Sequence, residues 1–349
     1  MKTTPFTPCL LLICLMVSLL NSRCSPPADG VDSGQNTCRI QQIVSTVKNA
    51  NTEGTSQTQY AYDAADNLLR ITKTSRYQSG TMASQSSATT ETFSYDANNF
   101  LIRKQLLTQD QSIVANRTTD YQYAATTEYT YSNGRLVSYQ LTDLTSSTTN
   151  SGTQQQRNVS HCQYDYDASG QLVRQTVDQN QPITYQNGLM TSYSSNPNQF
   201  TVTNGLITKA FFPGTEGPAN TVHNLTQLRQ YDEQRRPIEH RELINDTVSS
   251  YYTQTWQAGL TAEQSLPAFK GHPRTRPPYG EPGLATDYRQ FQINRQQNNT
   301  VYQSNRTTTV HVLNDQGYVT RSTATTTNSA SGTQQPDVMI TVYTYTKCN

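Results

Sequence analysis

Apolar and polar positions alternate with a period of two through most of this chain, and turn residues interrupt the alternation at recurring intervals. One interrupted unit reads Tyr60-Ala61-Tyr62-Asp63-Ala64-Ala65-Asp66-Asn67-Leu68-Leu69-Arg70. It returns as Phe93-Ser94-Tyr95-Asp96-Ala97-Asn98-Asn99-Phe100-Leu101-Ile102-Arg103, and again as Tyr164-Asp165-Tyr166-Asp167-Ala168-Ser169-Gly170-Gln171-Leu172-Val173-Arg174. Weaker copies run from Tyr231 to Ile238 and from Leu313 to Arg321. Aromatics at i and i+2 share one face of a strand. The Asp that follows caps a turn by accepting nearby backbone N–H groups. Asn67, Asn99 and Gly170 then fall where a left-handed backbone is needed, which Asn and Gly adopt with least strain. An apolar residue and an Arg open the returning strand, and the length fits a hairpin built on a type I turn.

A second form uses a two-residue turn. Asn133-Gly134, Asn187-Gly188 and Asn204-Gly205 each sit between alternating segments, the strongest short-range hairpin signal. Eight hairpins of two kinds are thus expected between residues 60 and 321. They are joined by Thr/Ser/Gln/Asn-rich stretches at 74–91, 142–158 and 323–337. The segment Leu266–Ala285 breaks the rhythm with dense Pro and Gly, which exclude strand and helix and suggest an excursion over the surface. The pattern predicts an all-β fold: an antiparallel meander of hairpins forming one large curved, rolled or barrel-like sheet over residues 38–349.

The N-terminus alters the picture of location. Lys2 precedes an apolar run, Cys9–Leu20, that is too short to span a bilayer and suits an export signal over residues 1–24. Cys24 stands directly after it, followed by a polar, Pro-containing tether over 25–37. That placement resembles a lipobox and makes Cys24 the candidate acylation site, although Arg23 and Asn21 depart from the usual small residue and Leu. Export permits disulfides. Cys38 opens the first alternating stretch and Cys348 closes the last, so the two could clasp the ends if those strands are neighbours. Cys162 then remains as a small buried hydrophobe.

Net charge is +1 with 15% charged residues, which gives no basic stripe for a nucleic acid. Aliphatic residues are sparse, but 22 Tyr compensate, since each buries a large ring while its hydroxyl stays hydrated or hydrogen-bonded. A folded, thinly cored β protein is expected rather than a disordered one.

The Tyr-Asp units resemble the YD repeats of Rhs and teneurin-type proteins, whose core pattern is Tyr-x-Tyr-Asp-x-x-Gly-x-Leu. The arrangement is also similar to a group of Bacteroidota lipoproteins of unknown function. That resemblance implies an antiparallel sheet rolled across its width and exposure in the periplasm or on the cell surface, with no catalytic residue, cofactor or ligand attached.

Other chemistry is thin. Asp165-x-Asp167-x-Ser169-Gly170 matches half of a calcium loop but places Thr176 where a bidentate Glu is required, so turn chemistry explains it better. Glu239-His240-Arg241-Glu242 lacks metal-ligand spacing, and neither a nucleophile elbow nor a phosphate loop occurs. Arg70, Arg103, Arg135 and Arg174 follow their turns at a near-constant offset, as a row that could pair with turn aspartates or cross-strand neighbours. Tyr121, Tyr123, Tyr129, Tyr131, Tyr164 and Tyr166 form the candidate binding surface, able to stack on sugars if exposed and to stabilise cross-strand packing if not. The sequence thus points to a non-enzymatic, envelope-exposed lipoprotein that binds or scaffolds, with glycans or envelope proteins as partners and no cofactor, metal or nucleic acid. The alternatives are a hydrolase with a dispersed site or a lipid carrier using a concave sheet face.

Overall fold

The computed structural model describes residues 38–48, 52–79, 83–114, 117–149, 152–178, 182–193, 199–216, 222–273, 275–294, 300–328, 336–346 and 348. The signal segment, the tether and Cys24 lie outside the described residues. Twenty strands follow one another: β1 (Arg39–Lys48), β2 (Thr52–Tyr62), β3 (Leu68–Ser79), β4 (Ala83–Tyr95), β5 (Leu101–Val114), β6 (Arg117–Ser132), β7 (Arg135–Thr149), β8 (Gly152–Tyr166), β9 (Leu172–Val177) and β10 (Ile183–Gln186). The second half comprises β11 (Leu189–Ser192), β12 (Phe200–Thr203), β13 (Leu206–Glu216), β14 (Val222–Tyr231), β15 (Pro237–Ile244), β16 (Thr247–Gln257), β17 (Leu284–Asn294), β18 (Thr300–Leu313), β19 (Val319–Asn328) and β20 (Asp337–Thr346).

Strands pair antiparallel with their sequence neighbours, and β1 also pairs with β20, so the meander closes through its two ends. Among the described residues the ladder is interrupted between β11 and β12, where the rings of Tyr193 and Phe200 meet edge-on at 4.7 Å. The result is the all-β antiparallel meander that the alternation predicts, as a nearly closed barrel.

All eight predicted hairpins lie at one end of this barrel. In the Tyr-Asp turns one carboxylate oxygen organises the loop: Asp63 Oδ1 accepts the N–H groups of Ala65 and Asn67, and Asp96 Oδ1 those of Asn98 and Phe100. Asn314 does the same for Gln316 and Tyr318. The left-handed position falls three residues after the cap, at Asp66, Asn99, Gly170, Arg235 and Gly317. In the first unit this corrects the expectation, because Asp66 rather than Asn67 carries the positive φ of 64°. The Asn-Gly turns have both residues at positive φ, as type I′ requires. A fourth such turn, Asn245-Asp246 between β15 and β16, lies at the opposite end and escapes the Asn-Gly pattern.

Each of these hairpins shifts register by one residue beside its turn, for example between Ser94 and Tyr95 opposite Leu101. The bulge keeps the aromatic and the apolar residue on the same face. Between one hairpin and the next the ladder stops short, and a side chain closes the gap. Tyr62 donates its hydroxyl to the Ile40 carbonyl (2.8 Å), Tyr95 to Leu68 (2.9 Å) and Tyr131 to Leu101 (2.8 Å). Tyr166 donates to Leu136 (2.7 Å), Tyr231 to Ile207 (2.9 Å) and Tyr345 to Val319 (2.8 Å). Trp256 Nε1 reaches Pro237 O, and His311 Nε2 reaches Ala285 O, at the equivalent joints. Every donor lies three residues beyond the last register pair and every carbonyl two residues before it, as with Thr92↔Arg70 for Tyr95 and Leu68. The apolar residues whose carbonyls are taken form the core: Ile40, Leu101 and Ile207 are completely buried.

The Pro/Gly-rich segment completes this end. Residues 258–283 leave β16 and visit the hairpins in order. Leu260 exchanges backbone bonds with Gly317 and Val319, and Ser265 Oγ accepts the Ile40 N–H. Leu266 and Phe269 pack on the Leu68–Phe93–Leu101 cluster, and Gly271 O accepts the Leu136 N–H. Arg276 N–H donates to Gly188 O, Pro278 O accepts the Ile207 N–H, and Glu281 N–H donates to Arg235 O before β17 begins. This is a full circuit. Its 26 residues span at most about 90 Å when extended. Twenty strands 4.7–4.9 Å apart need a perimeter of at least about 95 Å. A circuit this short fits only within the wall. The expected surface excursion is therefore an inner belt, because its freed carbonyls and N–H groups are the partners that the bulged hairpins lack. Gly271 passes so close beneath the Asn133-Gly134 turn that a Cβ there would lie 2.6 Å from Gly134 O.

The termini meet at the same end. Cys38 and Cys348 form a disulfide with Cα atoms 4.2 Å apart, beside the β1–β20 pairing, and Cys162 is a buried thiol whose Sγ accepts from Gln175 Nε2.

Two outcomes follow. Tyr166→Phe strands the Leu136 carbonyl and should cost about 1–3 kcal/mol in denaturant unfolding; no loss would mean the hydroxyl bond is idle. Burial also pushes the Tyr62, Tyr166 and Tyr231 phenols up from 10 to about 12. Since the fold favours the neutral phenol, its contribution is complete below pH 10 and lost as pH rises through about 12. Phenolate absorbance should appear together with loss of β circular dichroism in that window, not before it.

Candidate ligand-binding trough

The barrel has two faces set by the two-residue period. The belt lies inside, so the Tyr and apolar residues that touch it face inward, and the residues between them face out. Tyr129, Tyr131, Tyr164 and Tyr166 are inward. Rings of Tyr129, Tyr139 and Tyr164 follow one another across β6, β7 and β8 at 6.1 and 6.3 Å, tilted by 58° and 50° rather than coplanar. The hydroxyls of Tyr131 and Tyr166 are already committed to Leu101 and Leu136. Tyr121 and Tyr123 lie farther along β6 on the same face, and of the six candidates Tyr121 lines a cavity.

His272 of the belt sits among Tyr129, Tyr131 and Phe269, with ring centroids 5.3, 6.0 and 5.4 Å away. Its Nε2 lies 2.9 Å from the Tyr131 hydroxyl, which already donates to Leu101, so the imidazole is the donor there. Desolvation in this cage lowers its pKa to about 4.

The half calcium loop resolves into turn and strand chemistry: Asp167 accepts from Gln171 N–H and the Ser169 hydroxyl, while Asp165 pairs with Arg174. The arginine row likewise pairs across strands, Arg103 with Glu128 at 2.8 Å and Arg174 with Asp165 at 2.5 Å, whereas Arg135 lies over the Tyr166 ring.

The cavity lies toward the far ends of β1–β7 and measures about 980 Å³. Its lining follows the sheet register. One row is Val44–Gln57–Thr74–Ala88–Gln109–Gln122, and a second is Thr55–Arg76–Ser86–Gln111–Asp120–Thr148. Both rows carry their side chains on the outer face. Between them runs Ser56–Ser75–Ser87–Asp110–Tyr121, whose side chains point inward and whose backbone floors the space. The cavity is therefore a trough running across seven strands, about 29 Å long at the usual strand spacing.

Its chemistry is planar and neutral: four Gln amides, several hydroxyls, one guanidinium and one carboxylate on the outer rows. Asp120 Oδ1 accepts from Gln111 Nε2 at 3.0 Å, which orients both groups. Asp110 and Asp120 sit in adjacent rows that face opposite ways, so they do not converge on a shared substrate. Among the described residues no group of three or more His, Cys, Asp or Glu could hold a metal ion.

None of the trough residues except Tyr121 is marked by the sequence, because they fall in Thr/Ser/Gln-rich stretches without a motif. The signal that would have found them is strand register, which aligns Gln57, Gln109 and Gln122 across segments far apart in sequence.

Elsewhere the outer face mixes exposed apolar residues, among them Leu107, Leu144, Val310, Val312 and Val342, with charge. Arg103–Glu128, Arg174–Asp165, Arg241–Glu239 and Arg289–Asp287 all lie on it as ion pairs. No helix among the described residues is long and apolar enough to cross a membrane.

No family model and no curated protein matches the chain. The resemblance to YD repeats therefore rests on the turn units themselves. Among solved structures, a porin-like protein from Bacteroides uniformis is 12% identical and covers 89% of this chain and 98% of that one, at a TM-score of 0.33. A likeness this loose says nothing about what the chain does.

The belt histidine gives a pH test. The fold holds His272 neutral, so its contribution is complete above pH 6.5 and lost as pH falls toward about 4. His272→Leu, which keeps an apolar body in the cage, should flatten the decline in melting temperature between pH 6.5 and 4 relative to wild type. Parallel acid limbs in the two proteins would refute the assignment.

Proposed function

We propose that this chain is a non-catalytic barrel exposed in the cell envelope, which binds a hydrophilic partner along the outer trough and is held at the membrane by a lipid on Cys24 rather than by its wall. The trough is the observation that carries this reading, since it is a long, preformed concavity lined by groups with free hydrogen-bonding valence. The apolar run Cys9–Leu20 supports export. The ion pairs that interrupt the exposed apolar residues of the outer face support a wall that stands in water, because a membrane-spanning barrel presents a continuous outward apolar band about 25 Å tall between aromatic girdles.

Two alternatives find less support. The inner belt obstructs one end, which argues against passage along the axis. The inner wall behind the trough runs Ser45–Ser56–Ser75–Ser87–Asp110–Tyr121–Ser147, polar but for one ring, with Ser45 bonded to Thr341, which argues against a lipid carrier. Asp110 and Asp120 point apart, which argues against a carboxylate-dependent hydrolase in the trough.

The mature chain from Ser25 onward should stay folded and monodisperse without detergent, and should give no conductance steps in a planar bilayer. A requirement for detergent, or a measurable pore, would overturn the reading of the wall. In the full chain, Cys24→Ala should abolish partition into the detergent phase; unchanged partition would rule out the anchor.

A further inference from the structure

We infer that the trough takes a linear, uncharged glycan lying across the strands, an assignment that rests on the binding role proposed above and names its ligand class. The outer rows offer little charge and little apolar surface. A polyanion needs repeated cations, and the rows supply Arg76 alone, balanced by Asp120. An apolar chain would find only Val44 and Ala88. What remains is dense in groups that both donate and accept: the amides of Gln57, Gln109, Gln111 and Gln122, beside Thr and Ser hydroxyls. Planar amide, carboxylate and guanidinium groups present paired atoms that match adjacent hydroxyls on a sugar ring in a bidentate fashion.

Direction separates a glycan from a peptide. A peptide docking on a sheet gains affinity by adding a strand at an edge, parallel to the existing strands. Here the trough runs perpendicular to the strands, and the backbone groups of its floor are consumed in ladders between β2, β3, β4, β5 and β6. A peptide lying there would have to satisfy every N–H and C=O through side chains. A glycan carries no backbone amide ladder to satisfy and meets the same side chains through hydroxyls.

The outer rows lack an aromatic platform, so each sugar subsite is weak and affinity must accumulate along the length. Binding should therefore rise with the number of residues until the ligand fills about 29 Å, and then level off. Because recognition is uncharged, it should change little with ionic strength.

The experiment uses the mature protein, immobilised, against neutral malto-, cello-, manno- and xylo-oligosaccharides of increasing length, with an acidic uronate series and extended Ser/Thr-rich synthetic peptides alongside. The expected result is length-dependent binding of at least one neutral series, indifferent to salt. It should weaken about tenfold for each of Gln109→Ala and Gln122→Ala, the factor corresponding to about 1.4 kcal/mol for one lost paired contact. Gln140→Ala, on the same outer face but outside the trough, should leave binding unchanged; all three are exposed side chains, and each variant should keep the wild-type circular dichroism. Binding that is indifferent to the trough variants overturns the site. Preference for the uronate series, or for a peptide with the same variant sensitivity, overturns the ligand class and leaves the proposed function standing. No binding to any of these probes, together with none to isolated envelope polymers, overturns both.

Discussion

The barrel depends on one repeated hydrogen bond, from an aromatic side chain of one hairpin to the first carbonyl of the hairpin before it. Within a hairpin the turn and its bulge are local and self-sufficient. Between hairpins the ladder ends two residues before that carbonyl, and an unpaired buried carbonyl would cost about 1–3 kcal/mol at each joint. Six tyrosines, Trp256 and His311 fill these gaps with the same offset. Where the device changes, so does the sheet: Tyr185 turns to the Gln175 side chain at the β9–β10 joint, close to the interrupted β11–β12 seam.

The same residues are held from a second side. Ile40, Leu136, Ile207 and Val319 each give a carbonyl to an aromatic donor and an N–H to the belt. Their side chains are buried between the two. The belt thus does for the inner circumference what the clasps do for neighbouring strands, and His272 must stay neutral because it lies within this apolar layer. The disulfide and the β1–β20 pairing close the remaining joint. Cohesion is concentrated at one end of the molecule.

Local chemistry made the turns legible in the sequence. Asp or Asn caps, left-handed positions and Asn-Gly pairs act within four or five residues, so the eight hairpins could be placed without knowing the fold. The Tyr spacing was legible as a shared strand face, but its role was not, because the accepting carbonyl belongs to another hairpin some thirty residues away, as with Tyr131 and Leu101. The belt was misplaced for a related reason. Pro and Gly correctly excluded strand and helix, yet only the circumference of a twenty-stranded sheet dictates that a segment of that length runs within the wall. The Asn67 assignment failed by one residue because Asp66 can also adopt the left-handed form, aided by its short polar side chain. Asn245-Asp246 shows the same tolerance in a type I′ turn.

The low-complexity stretches gain a meaning from this division. Away from the belt, β2–β8 continue as long polar ladders with little apolar burial, which composition alone would read as filler. Backbone pairing holds them, and the register inherited from the clasped end aligns their side chains across strands. With stability vested elsewhere, the outer positions of these ladders are free of packing constraints. Hydroxyls and amides can therefore stand in rows, and a trough formed this way needs no pocket cut into the core. On this argument the repetition of Thr, Ser and Gln is the material of a binding surface, and the Tyr-Asp units are what keeps that surface in register.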